Sequence, residues 1–597
     1  MIVAQEMEHL HKLAERDPDK RFTHLWGRMI SEKWLTQAWE EIRRNQGSQT
    51  PGVDGRTAAH VTPDCIRHLS HELRSHTYRP TPARRAYIPK GKGKRRPLGI
   101  LTIEDRLVQQ ALRMVLEPIF EADFLPCSHG FRQGHSTHTA LRDGVRMFPR
   151  VTWTIEGDIA SCFDKIPHNG LMRAVQRRIA DQEVLALIKR FLKAGYMEDW
   201  QYHQTYSGTP QGGIASPLLC NIFLHQLDDY VVNTLGANQV QTKQESNRRR
   251  NPEYRRIDST IQRYRKKLRR HPSWSKRRVY IQNMKAARKE LRRTPVYDKR
   301  HSSKLGYVRY ADDWAILVNG TKQEAEHIKA QIGSFLTDIG LELSDEKTKL
   351  THWSETVVFL GYNIRGVIRD KGNQIRAVLS IPPDRERLIR REIIRVARFH
   401  HIPELDAMLR INAMFRGWCN YYRYATSPQE VFNRVARKVW WYFAHFLARK
   451  ERSSIQKMLF RARKSGRYKM VKQKDRLRQT FVIKSGKKEY SLDIFPPRTQ
   501  TIHQVKSVNW KVDLKPVNIP GWQFGRSLQT HLTALNRSDG LCERCQTNPA
   551  VHAHHKIRMR AKKTLSARVQ SDKDQEQTAK ALCKECHLES HHGRWTG

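Results

Sequence analysis

Two short runs with the hydrophobic pattern of β-strands flank a pair of acidic residues near the middle of the chain. Residues 305–309 and 314–318 are the expected strands, and between them lie Tyr310, Ala311, Asp312 and Asp313. The pattern predicts a β-hairpin with two adjacent carboxylates at its tip. Like charges about 4 Å apart repel by roughly 4 kcal/mol at an effective dielectric constant of about 20. Such a tip is typical of a solvated turn, or of a site where divalent cations neutralise the charge.

The same kind of pattern predicts elements on both sides of this hairpin. Residues 84–101 indicate a second β-hairpin with a basic, glycine-rich tip, and a helix is expected to follow from Thr102. Residues 151–158 alternate like a strand that ends on Asp158. Thr321 and Glu324 form a capping box for an amphipathic helix that ends at Gly340. Strands, turn and helix around paired acids favour a βαβ-like α+β arrangement over a sandwich or a bundle.

Toward the C-terminus the pattern changes three times. Residues 385–450 have helical spacing and are rich in arginine and aromatic residues, whereas residues 451–525 are basic and weakly periodic. Residues 528–597 form a small unit rich in cysteine and histidine. A chain of 597 residues is too long for one hydrophobic core, so several domains are expected.

The net charge of the whole chain indicates the class of partner that it binds. The chain has 109 Lys and Arg residues against 59 Asp and Glu residues. This excess predicts a polyanionic partner and binding that weakens with salt. No run approaches the ~20 consecutive apolar residues of a membrane-spanning helix, so no membrane partner is predicted. Residues 1–20 mix acidic and basic side chains, unlike a transit peptide, which favours a bacterial cytoplasmic, nucleoid-associated location and leaves an organellar one open.

Four of the nine cysteines form two Cys-x-x-Cys pairs, and the other five are scattered. Cys542, Cys545, Cys583 and Cys586 have the spacing of two zinc knuckles, which predicts a structural, tetrahedral Zn²⁺. This usage is that of an intracellular metal site rather than of a disulfide framework.

A third acid, Asp158, belongs with Asp312 and Asp313. Three carboxylates from two neighbouring strands can hold two Mg²⁺ ions, one that activates a primer 3′-oxygen and one that binds a triphosphate. Between these acids, the small residues of the segment 208–222 permit close backbone approach, and Gln211 is a candidate contact for an incoming nucleotide. An ordinary turn that opens a helix gives the same pattern.

Seven blocks together resemble the reverse transcriptases encoded by group II introns. In the family's order, they are residues 87–100, 128–136, the Asp158 block, 209–213, 310–313, 343–348 and 359–362. The resemblance implies a right-hand polymerase with fingers and palm, which copies RNA into DNA from deoxynucleoside triphosphates. It makes Asp158, Asp312 and Asp313 the catalytic Mg²⁺ ligands.

The resemblance also implies roles around the nucleotide and the primer. Phe163 would be the steric gate that excludes a ribose 2′-hydroxyl, with a core aromatic as the alternative, and Gln211 would line the nucleotide site. The residues that would meet the triphosphate are Lys94, Arg95 and Arg96. The residues that would form the primer grip are Phe359, Leu360 and Gly361.

The helical region resembles the family's thumb, also called domain X or the maturase domain. Within residues 411–424, a run from Phe415 to Trp418 leads into Asn420, Tyr421 and Tyr422. Aromatic residues beside arginine can stack on unpaired bases while cations hold phosphates, although most apolar residues here are expected in the core. The resemblance implies binding to the intron RNA and help with its splicing. The candidate RNA contacts are Arg416, Trp418, Tyr421, Tyr422, Arg423, Arg434, Arg437 and Lys438.

The C-terminal unit resembles an HNH endonuclease, in which a ββα hairpin and helix hold one catalytic divalent ion. The resemblance makes His554, His587 and His591 the metal ligands and His555 the base that activates water. The motif's middle asparagine has no counterpart here, because no Asn lies between His555 and Cys583. The alternative is a zinc ribbon that only binds DNA.

These observations predict a multidomain α+β protein with fingers and palm in residues 1–365 and a basic insertion at 240–304. An α-helical thumb (366–470), a basic DNA-binding region (471–527) and a zinc-containing HNH domain (528–597) are expected to follow. The insertion is helical or disordered, and it is either additional RNA-contacting surface or solvated charge. The expected function combines reverse transcription, splicing of the intron RNA and nicking of target DNA in retrohoming. A free-standing reverse transcriptase and a splicing factor with a non-catalytic zinc tail are the alternatives.

Overall fold

The structure is a computed structural model, and it describes most of the chain up to residue 512. The described residues are 2–91, 94–198, 201–205, 207–208, 212–238, 251–269, 273–291, 294, 304–344, 346–368, 375–399, 401–473, 476–512, 552–554 and 580–582. Across these ranges, every helix is too short or too polar to cross a membrane.

The α-helices in the described ranges are α1 (Ile2–Arg16), α2 (Trp26–Met29), α3 (Glu32–Arg43), α4 (Pro63–Arg74), α5 (Ile103–Glu121), α6 (Thr137–Met147), α7 (Cys162–Lys165), α8 (His168–Gln176), α9 (Gln182–Lys193), α10 (Ser216–Asp229), α11 (Pro252–Arg269), α12 (Trp274–Leu291), α13 (Lys322–Asp338), α14 (Pro383–Arg398), α15 (Glu404–Tyr422), α16 (Gln429–Lys450) and α17 (Ile455–Lys464). The strands are β1 (Ala83–Gly91), β2 (Lys94–Ile100), β3 (Trp153–Asp158), β4 (Tyr196–Glu198), β5 (Gln201–His203), β6 (Lys304–Tyr310), β7 (Asp313–Asn319), β8 (Lys349–His352), β9 (Thr356–Phe359), β10 (Tyr362–Ile368), β11 (Ile375–Ser380), β12 (Tyr468–Gln473), β13 (Arg476–Ser485), β14 (Lys488–Ser491), β15 (His552–His554) and β16 (Lys580–Leu582).

The central sheet consists of four antiparallel strands in the order β6-β7-β3-β8. Side chains alternate between its faces, as the two-residue period of a strand requires. From β7, Ile316 and Val318 join a hydrophobic cluster with the N-terminal helices, α8 to α10 and α13. Ala315 and Leu317 join a second cluster with α6 and the helices α14 to α17. Both faces are therefore covered, which explains why β7 is almost continuously apolar.

The predicted local elements in this half of the chain are confirmed. The strands β6 and β7 form the central hairpin, with Tyr310 paired to Asp313. The strands β1 and β2 form the basic hairpin, in a sheet of order β2-β1-β4-β5. The Thr102 side chain caps α5, and Thr321 and Glu324 form the capping box of α13. Gly340 ends α13 with φ +81°, a conformation that favours glycine.

The second cluster joins the C-terminal helices to two further sheets. One sheet has the order β11-β10-β9 and the other has the order β12-β13-β14. Phe481 of β13 and Leu492, which follows β14, are buried among the same side chains as Phe443 of α16. The segment after residue 467, which is weakly periodic in sequence, is thus a small sheet that shares its core with the helices.

The part of the insertion that the structure describes is helical. The helices α11 and α12 pack against each other through Ile257, Ile261 and Ala287, a small cluster separate from the two main ones. This helical hairpin of α11 and α12 is called the basic hairpin arm below, and it is distinct from the basic β-hairpin of β1 and β2.

Candidate active site

The three predicted metal ligands lie together at one end of the central sheet. Asp158 is the last residue of β3, and Asp313 is the first residue of β7. The two residues are directly opposite each other in the antiparallel register. Asp312 precedes Asp313 in the turn of the hairpin. The sheet therefore brings together carboxylates that are more than 150 positions apart in the sequence.

The pKa values of Asp312 and Asp313 are both raised. Burial is the largest cause of the raised pKa of Asp312, and the negative charge of Asp158 adds to it. For Asp313, burial and then the charges of Asp312 and Asp158 raise the pKa to about 6. Like charges directly opposite in a sheet are destabilising, so this arrangement is unfavourable unless cations compensate it.

Lys347 supplies a cation to the cluster. Its ammonium group forms a hydrogen-bonded ion pair with the Asp158 carboxylate, and this interaction raises the pKa of Lys347. The Lys347 loop reaches the end of β3 through a backbone hydrogen bond of 2.9 Å from the Ser344 amide to the Asp158 carbonyl. One lysine against three carboxylates leaves a net negative site.

The donor set fits a hard divalent cation, because carboxylate oxygens are the ligands that Mg²⁺ prefers. Among the described residues, however, the structure contains no group of three or more His, Cys, Asp or Glu side chains already arranged around one metal position. The Asp158 carboxylate is turned toward Lys347 instead. The chemistry of the site therefore suits Mg²⁺, and the carboxylates are gathered at one place without converging on a point.

Contacts from Gly130 and Arg309 support the turn that carries Asp312 and Asp313. Ala311 has φ +57°, which is unfavourable for a residue with a Cβ atom. Gly130 of the 128–136 block lies so close that a Cβ atom there would be 2.3 Å from the Ala311 amide nitrogen. The Arg309 Nη1 atom donates a hydrogen bond to the Ala311 carbonyl at 3.0 Å. These contacts fix a strained turn in one conformation.

Arg309 is also the centre of a buried polar network. Its guanidinium makes two hydrogen bonds of 2.6 Å to the Asp228 carboxylate of α10, and both side chains are fully buried. It donates further bonds to Asn221 Oδ1 (3.1 Å) and Ser128 Oγ (2.8 Å). Burial alone lowers the pKa of Arg309, but the Asp228 carboxylate outweighs it, so that pKa lies above its usual range. The network links β6, α10 and the 128–136 block beneath the acidic turn.

Sequence reasoning missed Arg309 and Asp228 as contributors to this site. The available signal was a charged residue inside an apolar strand and another near the end of an apolar helix. Fully buried Arg and Asp side chains are rare unless they are paired, so each predicts a partner of opposite charge.

The nucleotide-side residues are only partly described. Phe163 is half-buried, and its ring packs edge-to-face on Phe131 with 6.4 Å between the ring centroids. Gln211 lies outside the described residues. Gly212, one residue later, has φ +112°, and a Cβ atom there would be 2.4 Å from the Gly99 carbonyl oxygen. The glycine-rich run thus touches β2 of the basic hairpin, which also carries Lys94.

Arg95 and Arg96 of β2 are exposed. The positive charge of Arg96 opposes the rise in the pKa of Asp312, so Arg96 lies on the same side of the protein as the acidic turn. The basic hairpin therefore brings the charge of Arg96 close to the acidic turn.

The predicted primer-grip residues form a two-residue hairpin turn between β9 and β10. Phe359 is paired with Tyr362, and Leu360 and Gly361 have φ +45° and φ +73°. The Tyr421 hydroxyl donates to the Leu360 carbonyl at 2.6 Å, and the Tyr422 hydroxyl donates to the Gly361 carbonyl at 3.1 Å. Two tyrosines of α15 thus hold a strained turn in place.

This placement changes the interpretation of the aromatic candidates for RNA contact. Tyr422 is 4% exposed, which leaves almost no surface for stacking on a base, so its role is to pack the helix against the turn. Tyr421 and Trp418 are half-buried, and Trp418 packs on Phe432 with 5.7 Å between centroids. The apolar residues of this motif therefore lie mainly in the core, as was expected for most of them, rather than on a base-stacking surface.

The basic candidates lie mostly at the surface. Arg437 and Lys438 are exposed on α16. The Arg416 Nε atom donates to Asp493 Oδ2 at 3.0 Å, and Arg434 forms two hydrogen bonds of 2.8 and 2.7 Å to Glu386. Arg423 lies over the Tyr424 ring at 5.6 Å. These cations surround the helical region without converging on one pocket.

Almost all of the C-terminal candidates lie outside the described residues. These are Cys542, Cys545, Cys583, Cys586, His555, His587 and His591. His554 is the last residue of β15, which pairs antiparallel with β16. Its backbone is described and is opposite Lys580.

Two family profiles match this chain. One, described as reverse transcriptase (RNA-dependent DNA polymerase), matches residues 88–242 and 279–364. The other, described as the group II intron maturase-specific domain, matches residues 387–464. The gap in the first match falls within the basic insertion. The first match includes Asp158, Asp312 and Asp313, and the second includes most of α14 to α17.

Individual relatives agree with the profiles. The group II intron-encoded protein LtrA of Lactococcus lactis subsp. cremoris is 36% identical over 467 residues, which cover 74% of this chain and 76% of LtrA. An uncharacterized 91 kDa protein in the cob intron of Schizosaccharomyces pombe is 31% identical over 600 residues, 95% of this chain and 69% of that protein. A telomerase structure from Candida albicans in complex with a telomeric RNA fragment has a TM-score of 0.32 at 10% identity, over 62% of this chain and 59% of that one, a level that does not bear on the fold. The chain belongs to the group II intron-encoded proteins and has their reverse transcriptase and maturase domains.

Proposed function

We propose that this protein performs target-primed reverse transcription, in which it copies its own intron RNA from a nick in target DNA. The observation that carries the proposal is the register that sets Asp158 opposite Asp313, next to Asp312, on a turn fixed by Arg309. Carboxylates gathered at the end of two neighbouring strands suit the two divalent cations of a polymerase site. The same protein acts as maturase on the intron RNA before it reaches DNA.

In this proposal Asp158, Asp312 and Asp313 hold two Mg²⁺ ions. The bound ions supply charge neutralisation for the triphosphate and lower the pKa of the primer 3′-hydroxyl. Lys347, which is paired with Asp158 in the structure, would balance part of the negative charge of the site until a cation binds.

The nucleotide would enter between the basic hairpin and the central sheet. Lys94, Arg95 and Arg96 would bind the triphosphate, and Gln211 would line the base and sugar. Phe163 would exclude a 2′-hydroxyl, and its contact with Phe131 supports that assignment, because a ring held from one side can reject a substituent on the other.

The primer and the RNA would be held by the helical half. Phe359, Leu360 and Gly361 would position the primer end on the turn that Tyr421 holds. The exposed cations Arg437 and Lys438 would contact RNA phosphates, together with Arg423. Arg416 and Arg434 would join them, because their bonds to Asp493 and Glu386 can be exchanged for phosphate oxygens.

The C-terminal part would act on DNA. Residues 471–527 would contribute DNA contacts, and residues 528–597 would nick the second strand as an HNH unit. Cys542, Cys545, Cys583 and Cys586 would bind a structural Zn²⁺, while His554, His587 and His591 would hold a catalytic divalent ion beside the base His555. A non-catalytic zinc tail remains the competing assignment, since the middle asparagine of the motif has no counterpart. The proposed location is the bacterial cytoplasm, close to the nucleoid.

A separation of activities tests this proposal. The ribonucleoprotein is incubated with a labelled DNA duplex that carries the target site, with Mg²⁺ and deoxynucleoside triphosphates. The His555→Ala variant is expected to leave the second strand intact and to extend a supplied nick normally. The Asp312→Ala/Asp313→Ala variant is expected to nick that strand and to make no cDNA. If His555→Ala still nicks while the Cys583→Ser/Cys586→Ser variant loses DNA binding, the tail is a zinc DNA-binding unit.

The RNA partner is identified by sequencing the RNA that remains on the purified protein after a high-salt wash. Salt removes nonspecific phosphate contacts, since log affinity falls by about 0.7 per contact per log unit of salt for single strands. One dominant structured RNA that includes this protein's coding region supports the maturase ribonucleoprotein. A mixed pool of RNA supports a free-standing reverse transcriptase instead.

A further inference from the structure

The basic hairpin arm has a charge distribution that sets it apart from the rest of the insertion. From residue 259 to residue 289 the sequence has twelve Lys and Arg residues and no Asp or Glu. The acids of the two helices, Glu253, Asp258 and Glu290, all lie at the end where the arm joins the central sheet. At that end, Arg256 forms an ion pair with Glu290 at 3.8 Å. All charged side chains in the distal part of the arm are therefore cationic.

The apolar core of the arm is separate from the two main hydrophobic clusters. Its apolar seam is limited to Ile257, Ile261 and Ala287, with Met284 and Leu291 packed beside them. A cavity of about 280 Å³ lies between its root and the central sheet, lined by Tyr254 and Asp258 on one side and by Thr321 and Trp353 on the other. Most cations of the arm are exposed, whereas Arg265 and Arg288 line this cavity.

Trp274 is the first residue of α12 and lies near the tip of the arm. Its side chain is 77% exposed, more than any other large apolar side chain in the part of the chain that the structure describes. The Arg278 guanidinium, one helical turn later, lies 5.9 Å from the indole centroid. An exposed indole beside cations offers a flat face on which an unpaired base can stack while the cations contact phosphates.

Behind the tip, a second aromatic group joins the two helices. Tyr264 of α11 and Tyr280 of α12 have ring centroids 5.9 Å apart, and the Lys267 ammonium lies over both rings. The Asn283 amide donates to the Tyr264 hydroxyl at 3.3 Å. These contacts hold α11 against α12, so the tip presents its tryptophan and cations on a defined surface.

We propose that the basic hairpin arm is an RNA-binding element that recognises an unpaired base. The cations of α11 and α12 bind the phosphates on either side, and Trp274 stacks on the base while Arg278 covers its edge. An exposed indole cannot stack on a base inside a duplex, whereas a base in a loop or bulge offers a free face. The inference rests on the proposed function in one respect, that the partner of this protein is a structured RNA.

The experiment uses the full-length protein with its polymerase cleft filled by an excess of unlabelled RNA–DNA primer–template. The probe is a fluorescein-labelled RNA stem closed by a loop of unpaired adenosines. The comparison probes are a blunt RNA duplex and the same stem-loop in DNA. Affinities are measured by fluorescence anisotropy for the wild type, Trp274→Ala, Trp274→Phe and Val279→Ala. Val279 is an exposed residue of the same helix and serves as the matched control.

The Trp274→Ala variant is expected to bind the stem-loop RNA about tenfold more weakly, within the range of one lost base stack. Trp274→Phe retains most of the affinity, Val279→Ala is unchanged, and duplex binding is the same for all four proteins. The Arg263→Gln/Lys266→Gln variant weakens binding to every probe and lowers the slope of log affinity against log salt by about 1.4 to 1.8.

Equal affinity of Trp274→Ala and the wild type for the stem-loop RNA would overturn the proposal. Equal losses on the stem-loop and the duplex would also overturn it, because they would point to general cation binding. A loss on the DNA stem-loop alone would assign the arm to DNA. Primer extension by the same proteins is measured in parallel and is expected to be unaffected by the arm variants. A failure of the arm proposal is therefore distinguishable from a failure of the polymerase proposal.

Discussion

The Arg309 guanidinium lies directly beneath the acidic turn and donates a hydrogen bond to the Ala311 carbonyl, 3.0 Å away. The same side chain is held by the fully buried Asp228 carboxylate through two bonds of 2.6 Å. Since Ala311 has φ +57°, the turn is strained, and the bond from Arg309 stabilises that conformation. The position of Asp312 and Asp313 therefore depends on a residue that touches no substrate.

Substitutions at Arg309 and Asp228 can separate the contribution of the buried ion pair to stability from its effect on the turn. Removing one partner leaves an unpaired buried charge, so Arg309→Met or Asp228→Val alone is expected to lower the unfolding free energy by roughly 3–5 kcal/mol. The double variant is expected to recover much of this loss, because two apolar side chains can replace a buried ion pair. Primer extension stays low in all three variants, since each of them disturbs the support of the Ala311 carbonyl. Thermal unfolding and primer extension are measured on the same preparations, and full activity of the double variant would show that Arg309 serves stability alone.

The Tyr421 hydroxyl has a comparable role at the turn predicted as the primer grip. Tyr421→Phe removes the bond to the Leu360 carbonyl, which is worth about 1 kcal/mol, or about a fivefold change in an equilibrium. We expect the KM for primer–template to rise by about that factor while kcat changes little. Tyr202→Phe is the control, because the Tyr202 side chain is exposed on β5. A fall in kcat with an unchanged KM would mean that the turn acts on the chemical step instead.

Phe163 is expected to set the preference for deoxynucleotides. Replacing it with Ala removes the ring that would meet a 2′-hydroxyl, and ribonucleotide incorporation is expected to rise by roughly 10- to 200-fold, the range for one lost steric contact. Phe131→Ala removes the neighbouring ring at 6.4 Å and is expected to give a smaller rise. The measurement is single-nucleotide insertion of ribo- and deoxynucleoside triphosphates. An unchanged ratio in Phe163→Ala would make this residue part of the core rather than a gate.

His129 is expected to make folding sensitive to acid. Burial is the main cause that lowers its pKa from 6.5 to about 3, and the nearby charges of His135 and Arg132 act in the same direction. The unfolded state takes up a proton below pH 6.5 and the folded state does not, so stability is full above pH 6.5 and is lost as the pH falls toward 3. The loss amounts to at most about 1.4 kcal/mol per pH unit.

The variant His129→Gln isolates this contribution, because glutamine can keep the hydrogen bond to Thr139 and does not titrate. Denaturant unfolding at pH 7.5 and at pH 5 is expected to show a smaller acid loss in the variant than in the wild type. Parallel losses in the two proteins would mean that His129 is protonated in the folded state as well.

The sequence was most informative where a local pattern and a chemical group coincide. The hairpin around Asp312, the strand that ends at Asp158 and the capping box at Thr321 follow from short-range periodicity, and the structure has all three. The family resemblance was carried by residues that are close in sequence, and the profiles confirm the reverse transcriptase and maturase domains.

Tertiary contacts were not predictable in the same way. Nothing near Arg309 in the sequence indicates that its partner is Asp228 on α10, since the pairing depends on how the helix crosses the sheet. Tyr421 and Tyr422 have the composition of an RNA-binding stretch, yet their hydroxyls bond to the turn between β9 and β10. Aromatic and polar atoms in one side chain suit either role, and only the packing decides between them.

The carboxylate cluster of Asp158, Asp312 and Asp313 is proposed to perform DNA synthesis and to take no part in RNA splicing. The most direct test compares the wild type with Asp312→Ala/Asp313→Ala in two assays on the same ribonucleoprotein, primer extension on an RNA template and splicing of the precursor RNA. Complete loss of primer extension is expected, with splicing at the wild-type rate and a thermal unfolding midpoint no lower than that of the wild type. Residual primer extension, or loss of splicing in a variant that is fully folded, would contradict it.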